Sequence, residues 1–317
     1  MTALVIASFL ATQPLVATGN DLGVWFVRDN APGATGPSHE LCYQIEKDKY
    51  QVVLPLAKRP IALAVQEQTL WFVGASDPPI LYRARLVKNQ TTGAFSTVPH
   101  GRANAVKPIS VPGTIKDLVF LDDDPILVVE HEGVQCYNID GSARTSKLQG
   151  DGIHISVQGS SLIATTRSGN TTTLHTFNGE VWKPIGNFEV DGNIQTLMVH
   201  DGWPILITTN DNEVEIIGLQ QDEVVKIAAF QILSGRWAII SGGGLHAIGV
   251  ERNGTTTAFN IGWPSGRTSD PIELGEQHGS VKMVELLVMI VTTGIFIMMM
   301  ISILRRKSKL SQNNKKN

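Results

Sequence analysis

A chain of 317 residues with 42% hydrophobic content can bury one large core or two average ones, which excludes an intrinsically disordered protein. Thirty Gly and fifteen Pro punctuate runs rich in Val, Ile, Thr and Trp, the composition of many short strands joined by turns. The formal charge is -3, but the last thirteen residues, RRKSKLSQNNKKN, hold six Lys or Arg and no acid; without them 20 basic groups face 29 acidic ones, and so acidic a body argues against nucleic acid as a main partner.

In chain order, residues 1–13 read as a weak leader or the start of a first strand. The apolar run from Ala3 to Ala11 has no Lys or Arg before it and no small-x-small cleavage site, so a leader beginning further upstream is a third option. The stretch from Pro14 to Thr18 fits a strand equally well. Internal repetition follows and governs the body of the chain. GVWFVRD at 23 and TLWFVGA at 69 place Trp25 and Trp71 46 residues apart, and LCYQI at 41 returns as QCYNI at 135 with the Cys residues 94 apart. DPILVVEHEGVQCYNI and WPILITTNDNEVEIIG set Pro125 and Pro204 79 residues apart, about two units of 40. Six second-strand starts are expected near Trp25, Trp71, Ile126, Leu162, Ile205 and Trp237.

The clearest unit reads GIHISVQ, SLIATTR, TTTLHTF and EVWKPIG, with turns at Gly159-Ser160, Gly169-Asn170 and Asn178-Gly179. The next repeats the order with TLMVHDG, PILITTN, EVEIIGL and EVVKIAA. Each is four short antiparallel strands. Runs such as PILVVE are apolar at successive positions instead of alternating, which implies burial on both faces, as when sheets stack against neighbours around an axis. The expectation is an all-β fold, a β-propeller over residues 14–275 with six blades, or seven if PIELGEQ and the N-terminal strand complete another sheet. A pair of β-sandwiches is the rival. The repeat resembles a propeller blade in period and strand count, without the Gly-His and Trp-Asp pairing of the WD type, and SGGGLH at 241 resembles a kelch di-glycine once.

Cys42 and Cys136 occupy third strands of the first and third units on this register. A whole blade between them puts their Cα atoms beyond the roughly 7 Å reach of a disulfide. Neither has a second Cys or a His at metal-ligand spacing, so both are expected as buried free thiols.

Motifs with chemistry are sparse. Asp122, Asp123 and Asp124 could offer carboxylates to a metal ion, but the alternating ligands and downstream Glu of a calcium loop are missing, and an acidic turn is the simpler reading. His131 lacks the second His of a zincin, and His154, His175, His200 and His246 stand in or beside strands as structural groups. No catalytic residue and no cofactor is expected. Sequons at Asn89, Asn170 and Asn253 fit exposed loops.

After a linker at 276–285, Leu286 to Leu304 is nineteen residues without a charge, long enough as a helix to cross about 30 Å of hydrocarbon. Arg305, Arg306, Lys307 and Lys309 follow at once, so residues 305–317 are expected on the cytoplasmic side of a cell membrane, with the body outside and the lipid bilayer contacted through 286–304. A propeller ahead of a membrane segment is similar in layout to bacterial proteins in which a propeller precedes a multi-span RDD module, although no Arg-Asp-Asp run occurs here. Two functions fit: a membrane-anchored binding or scaffold module for a protein, peptide or glycan, or a propeller enzyme (hydrolase, lyase or dehydrogenase) with an axial site.

Overall fold

The computed structural model describes residues 16–276, apart from connecting stretches at 21–22, 30–36, 47–48, 211–212, 221–222, 232–235, 242–243, 251–254, 264–266 and 269–271. They form six antiparallel sheets, each from one continuous stretch of chain. The first holds β1 (Ala17–Asn20), β2 (Gly23–Asp29), β3 (His39–Glu46) and β4 (Lys49–Leu56). The second holds β5 (Pro60–Gln66), β6 (Thr69–Gly74), β7 (Ile80–Lys88) and, both on the outer side of β7, β8 (Phe95–Val98) and β9 (Asn104–Pro108). The third is β10 (Thr114–Leu121), β11 (Asp124–Glu130) and β12 (Val134–Asn138). The fourth is β13 (Asp151–Gln158), β14 (Ser161–Ser168), β15 (Thr171–Phe177) and β16 (Trp182–Glu189), and the fifth is β17 (Asn193–His200), β18 (Trp203–Thr209), β19 (Glu213–Gln220) and β20 (Glu223–Gln231). The sixth is β21 (Arg236–Ser241), β22 (Leu245–Val250), β23 (Thr255–Gly262), β24 (Arg267–Thr268) and β25 (Ile272–Glu276).

The first strands of the sheets meet in a closed ring, β1 to β5, β10, β13, β17, β21 and back to β1. Six apolar clusters fill the six seams. Strand β18 illustrates the rule: Ile205 and Ile207 face the sixth sheet, whereas Leu206 between them faces the fourth. Burial on both faces is why these strands read as unbroken apolar runs, and each such side chain contributes about 1.5–3 kcal/mol by leaving water. The seam between the first and sixth sheets is closed by Val24, Phe26 and Cys42 against Ile248 and Ala258.

The ring has six blades. PIELGEQ adds no seventh, because β25 pairs with β23 inside the sixth sheet, and the N-terminal strand, seen as Ala17–Asn20, is the innermost strand of the first. Five of the six expected second strands stand where the repeat placed them. The sixth does not: the strand with Trp237 is the innermost of its blade, and the second is Leu245–Val250. SGGGLH therefore spans the connection from the first strand to the second, and analogy with Trp25 and Trp71 misled because Trp237 lies over Gly249 across the pair. The third sheet has three strands. The edge of β12 is closed by the following segment, with Val134 and Leu148 exchanging backbone hydrogen bonds of 2.9 and 2.8 Å and the Cys136 N–H donating to Thr145 Oγ1 at 3.1 Å.

Cys42 and Cys136 are both free and fully buried on third strands, but on opposite faces. Cys42 packs towards the preceding, sixth blade and Cys136 towards the following, fourth one, so the matching Cys-Tyr motifs share a strand and differ in orientation. Burial pushes both thiols up to about 12. In the folded protein both should react with maleimide far more slowly than a free thiol, and both should label at once in denaturant without reductant; a cross-linked Cys42–Cys136 peptide in the mass spectrum would contradict this arrangement.

Among the described residues no helix is long and apolar enough to cross a membrane. Leu286 to Leu304, the cations from Arg305 to Lys309 and the sequon at Asn253 lie outside the described residues.

Candidate binding site at the channel mouth

Strands alternate in direction, so every innermost strand starts at the same end of the ring as the turns between second and third strands. At this end four innermost strands break their pairing: β5 between Pro60 and Ala62, β10 between Ile115 and Asp117, β13 between Asp151 and His154, and β17 between Ile194 and Thr196. A bulge turns a side chain away from the alternation of the strand. Here the bulges place Ile61, Lys116, Asp117, His154 and Gln195 along the axial channel.

The cavity at this mouth has a volume of about 830 Å³, and residues from all six innermost strands line it. Its charged groups, Lys116, Asp117, Glu130, Glu132, Asp151 and His154, come from the third and fourth blades, and apolar side chains such as Val128, Val134 and Ile153 of the same blades and Ile61 of the second stand among them. Lys116 Nζ lies 2.5 Å from Glu130, and Lys147 Nζ lies 3.9 Å from Glu132. Gln195 donates to Thr209 Oγ1 at 3.1 Å.

Asp117 and His154 are set apart by their shifted titration. Asp117 is exposed to the channel, and the protein packed around the channel mouth disfavours its charged form and pushes its pKa up to about 6 against one opposing hydrogen bond, from the Leu118 N–H at 2.8 Å. Burial lowers His154 to about 4, with a hydrogen bond to the Ile194 backbone acting the other way. At neutral pH His154 thus contributes no charge. Arg167, whose Cα faces Asp151 across the β13–β14 pair, directs its guanidinium to backbone carbonyls instead: Gly169 at 2.7 Å, Val190 at 3.1 Å and Gly192.

The residues singled out from sequence fall elsewhere, His154 excepted. Asp122 and Asp123 form the β10–β11 turn with left-handed φ of 50° and 67°, and Asp124 opens β11. The turn lies at the opposite end of β10 from Asp117, roughly 16 Å along the strand. There Gln66 donates to Asp123 Oδ1 at 2.6 Å. Among the described residues no group of three or more His, Cys, Asp or Glu could hold a metal ion. His131 is exposed in the β11–β12 turn; His175 meets Thr166 Oγ1 at 2.9 Å, His200 packs edge-on against Trp263, and His246 meets Asn260 at 2.7 Å. Asn89 and Asn170 are exposed in turns. Sequence reasoning treated His154 as structural and missed Asp117 and the other channel residues. A signal was present: PIAL, TIKDL, GIHIS and NIQTL all set an Ile in the bulge or immediately before it.

No protein-family model matches the chain, an RDD module included, and no curated protein matches it. Solved structures do. The SapL1 lectin in complex with alpha methyl fucoside is 14% identical over 84% of this chain and 98% of that one, with a TM-score of 0.53. A mutant Aleuria aurantia lectin in complex with alpha-methyl-L-fucoside is 11% identical over 83% and 96%, with a TM-score of 0.53. A chain of the nidogen/laminin complex is 12% identical over 82% and 92%, also at 0.53. At such identities the likeness concerns the fold alone, and together with the ring of six sheets it identifies the chain as a six-bladed β-propeller.

Proposed function

We propose that this propeller is a binding module that receives a protein, peptide or glycan partner at the channel mouth, held at the outer side of a membrane by Leu286 to Leu304. The observation that carries the reading is the cavity itself, lined by all six innermost strands: polar groups such as Asp151, His154 and Gln195 can fix a ligand's orientation while the apolar side chains among them, such as Ile61, Val128 and Ile153, supply contact area. Lectins with the same fold hold a fucoside, and a propeller-like chain occurs in the nidogen/laminin complex, so the fold is compatible with recognition of either partner class. The anchor rests on nineteen uncharged residues followed by four cations, which favour retention of residues 305–317 on the cytoplasmic side.

A second reading, an axial enzyme of the hydrolase, lyase or dehydrogenase type, draws on one observation. A carboxyl raised to about 6 and a neutral His in one cavity are groups of the kind that transfer protons near neutral pH.

The full chain in detergent, applied to glycan and peptide arrays, should bind a restricted set of ligands and lose them on Glu130→Ala with Asp151→Ala. A substrate screen showing turnover abolished by His154→Gln, with no array binding, would favour the enzyme. For the anchor, the full chain should stay with membranes through alkaline carbonate washing and leave with detergent. External protease on intact cells should remove the propeller and spare the tail. Release by carbonate, or protection of the whole chain, would contradict the topology.

A further inference from the structure

We infer that the outer rim of the second blade docks on an anionic lipid surface. The inference deepens the proposed anchoring, and its choice of a lipid partner rests on that reading. Residues 78–116 hold six cations, Arg83, Arg85, Lys88, Arg102, Lys107 and Lys116, and no Asp or Glu. They are six of the body's 20 basic groups set in a stretch with none of its 29 acids, so a body that is acidic as a whole carries one basic sector.

The fold brings most of these cations to the rim. Strands β8 and β9 run one after the other along the outer edge of β7, with residues 99–103 looping out between them. Arg83, Arg85 and Val87 share a face of β7 with Leu81. Leu81 is packed against the third blade, but that blade has three strands, and the other three side chains are left exposed beyond it. Val98 stands opposite Arg85 on β8, and Val106 occupies the bulge of β9 beside Lys107. Lys88 and Arg102 are exposed as well. Val87, Val98 and Val106 are 40%, 50% and 39% exposed, three of the eight large apolar side chains left open among the described residues, so the basic sector is also an apolar one.

Among the described residues no acid pairs with Arg83, Arg85, Lys88 or Arg102. Arg83 lies over the Trp71 ring at 5.9 Å and Lys88 over Phe95 at 5.6 Å, contacts that position a cation without neutralising it. Lys107 stands near Asp140, and Lys116 is taken by Glu130 in the channel mouth. Cations interspersed with exposed apolar side chains suit a membrane interface: the charges draw the surface to anionic headgroups and the valines enter the boundary beneath them. An acidic protein would answer the charge alone. A lipid surface answers the charge, the valines and the nineteen uncharged residues from Leu286 to Leu304 together.

The test reconstitutes the full chain into phosphatidylcholine vesicles with and without about one third phosphatidylglycerol. An environment-sensitive fluorophore on Val98→Cys reports on the rim, and one on Ile185→Cys, 51% exposed on the fourth blade, is the control; Cys42 and Cys136 are buried and escape brief labelling. The expected result is a blue shift at position 98 in the anionic vesicles only, none at 185, and loss of the shift in 0.5 M salt. Arg83→Gln and Arg85→Gln should each weaken docking about fivefold and leave the melting temperature unchanged, since both side chains are exposed. Three results overturn the inference: the same spectrum at 98 in both kinds of vesicle, equal shifts at 98 and 185, and a shift indifferent to both arginine substitutions. If anionic vesicles leave position 98 unchanged while a polyglutamate peptide added to the chain in detergent shifts it, the rim serves an acidic protein and the lipid inference falls. If carbonate strips the chain from neutral vesicles, the anchor reading falls by itself. Flotation of the stripped chain with anionic vesicles, lost when both arginines are replaced, then still upholds the lipid surface, and no flotation ends both.

Discussion

Replacing Gly249 with alanine is expected to lower the unfolding free energy by about 3 kcal/mol, the upper part of the usual range for overpacking. Gly249 sits on β22 opposite Trp237 on β21, and a Cβ there would fall 2.3 to 2.5 Å from three indole carbons. The ring cannot retreat. It is 2% exposed, stacked near-parallel to Phe230 at 6.4 Å and 5.9 Å from Phe259, with the whole fifth-to-sixth seam behind it. Urea unfolding gives the direct measurement, and a Trp237→Leu background the control: without the indole, the same Gly249→Ala change should cost under about 1 kcal/mol, a coupling typical of residues in contact. An unchanged urea midpoint for the single variant would show that the ring has room the geometry denies it.

Acid titration should reveal two opposed linkages in the channel mouth. His154 has a folded pKa of about 4 against an ordinary 6.5, so the unfolded chain takes up a proton that the folded one refuses, and stability is lost as pH falls from 6.5 to 4. Asp117 has a folded pKa of about 6 against an ordinary 3.8, so its charged form burdens the fold above pH 6, and that burden is relieved over the same descent. The wild-type profile therefore shows the difference between two slopes. Single variants separate them. With His154→Gln the acid loss should vanish, a change on the order of 2 kcal/mol between pH 6.5 and 4. With Asp117→Asn the protein should melt higher than wild type at pH 7.5 and no higher at pH 4. Lys116, Glu130, Glu132 and Asp151 face the same cavity and remain in every variant, so differences between profiles isolate the substituted group. A His154→Gln profile superimposable on wild type would mean the imidazole is solvated.

How far the sequence reached depended on which interaction set each feature. The blade period and the four-strand units around 153–189 and 193–231 were legible because apolar runs and two-residue turns are local signals, and burial on both faces leaves no other pattern for a central strand. The sixth blade slipped by one strand because Trp237 looks like Trp25 locally, while its place is decided by a glycine twelve residues later across the sheet. The mouth was nearly invisible. Asp117 and His154 reach the channel through bulges in β10 and β13, and a bulge breaks the alternation on which a strand is read. Asp122 to Asp124 drew attention for being three acids in a row, yet a turn that needs left-handed backbone explains them fully. The paired Cys-Tyr motifs pointed to the right strands, and the faces came out opposite because the apolar set of each blade is chosen by its two neighbours.

Six sheets, each drawn from one continuous stretch of chain, have five covalent links and six seams. The seam between the first and the sixth sheet is the one the backbone never crosses, and it joins the two blades farthest apart in sequence. During synthesis from the N-terminus, five blades can stack in order as they emerge, each on the one before it, in the manner of a solenoid. Until the last blade arrives, one face of the first, with Val24, Phe26 and Cys42, remains an uncovered apolar end. Ring closure is then the longest-range and slowest step to form, and the one a nascent chain shields least from a second copy of itself. A ribosome stalled after Gln231 would display a sticky, open arc, and one that has released β25 a closed ring with no end to offer.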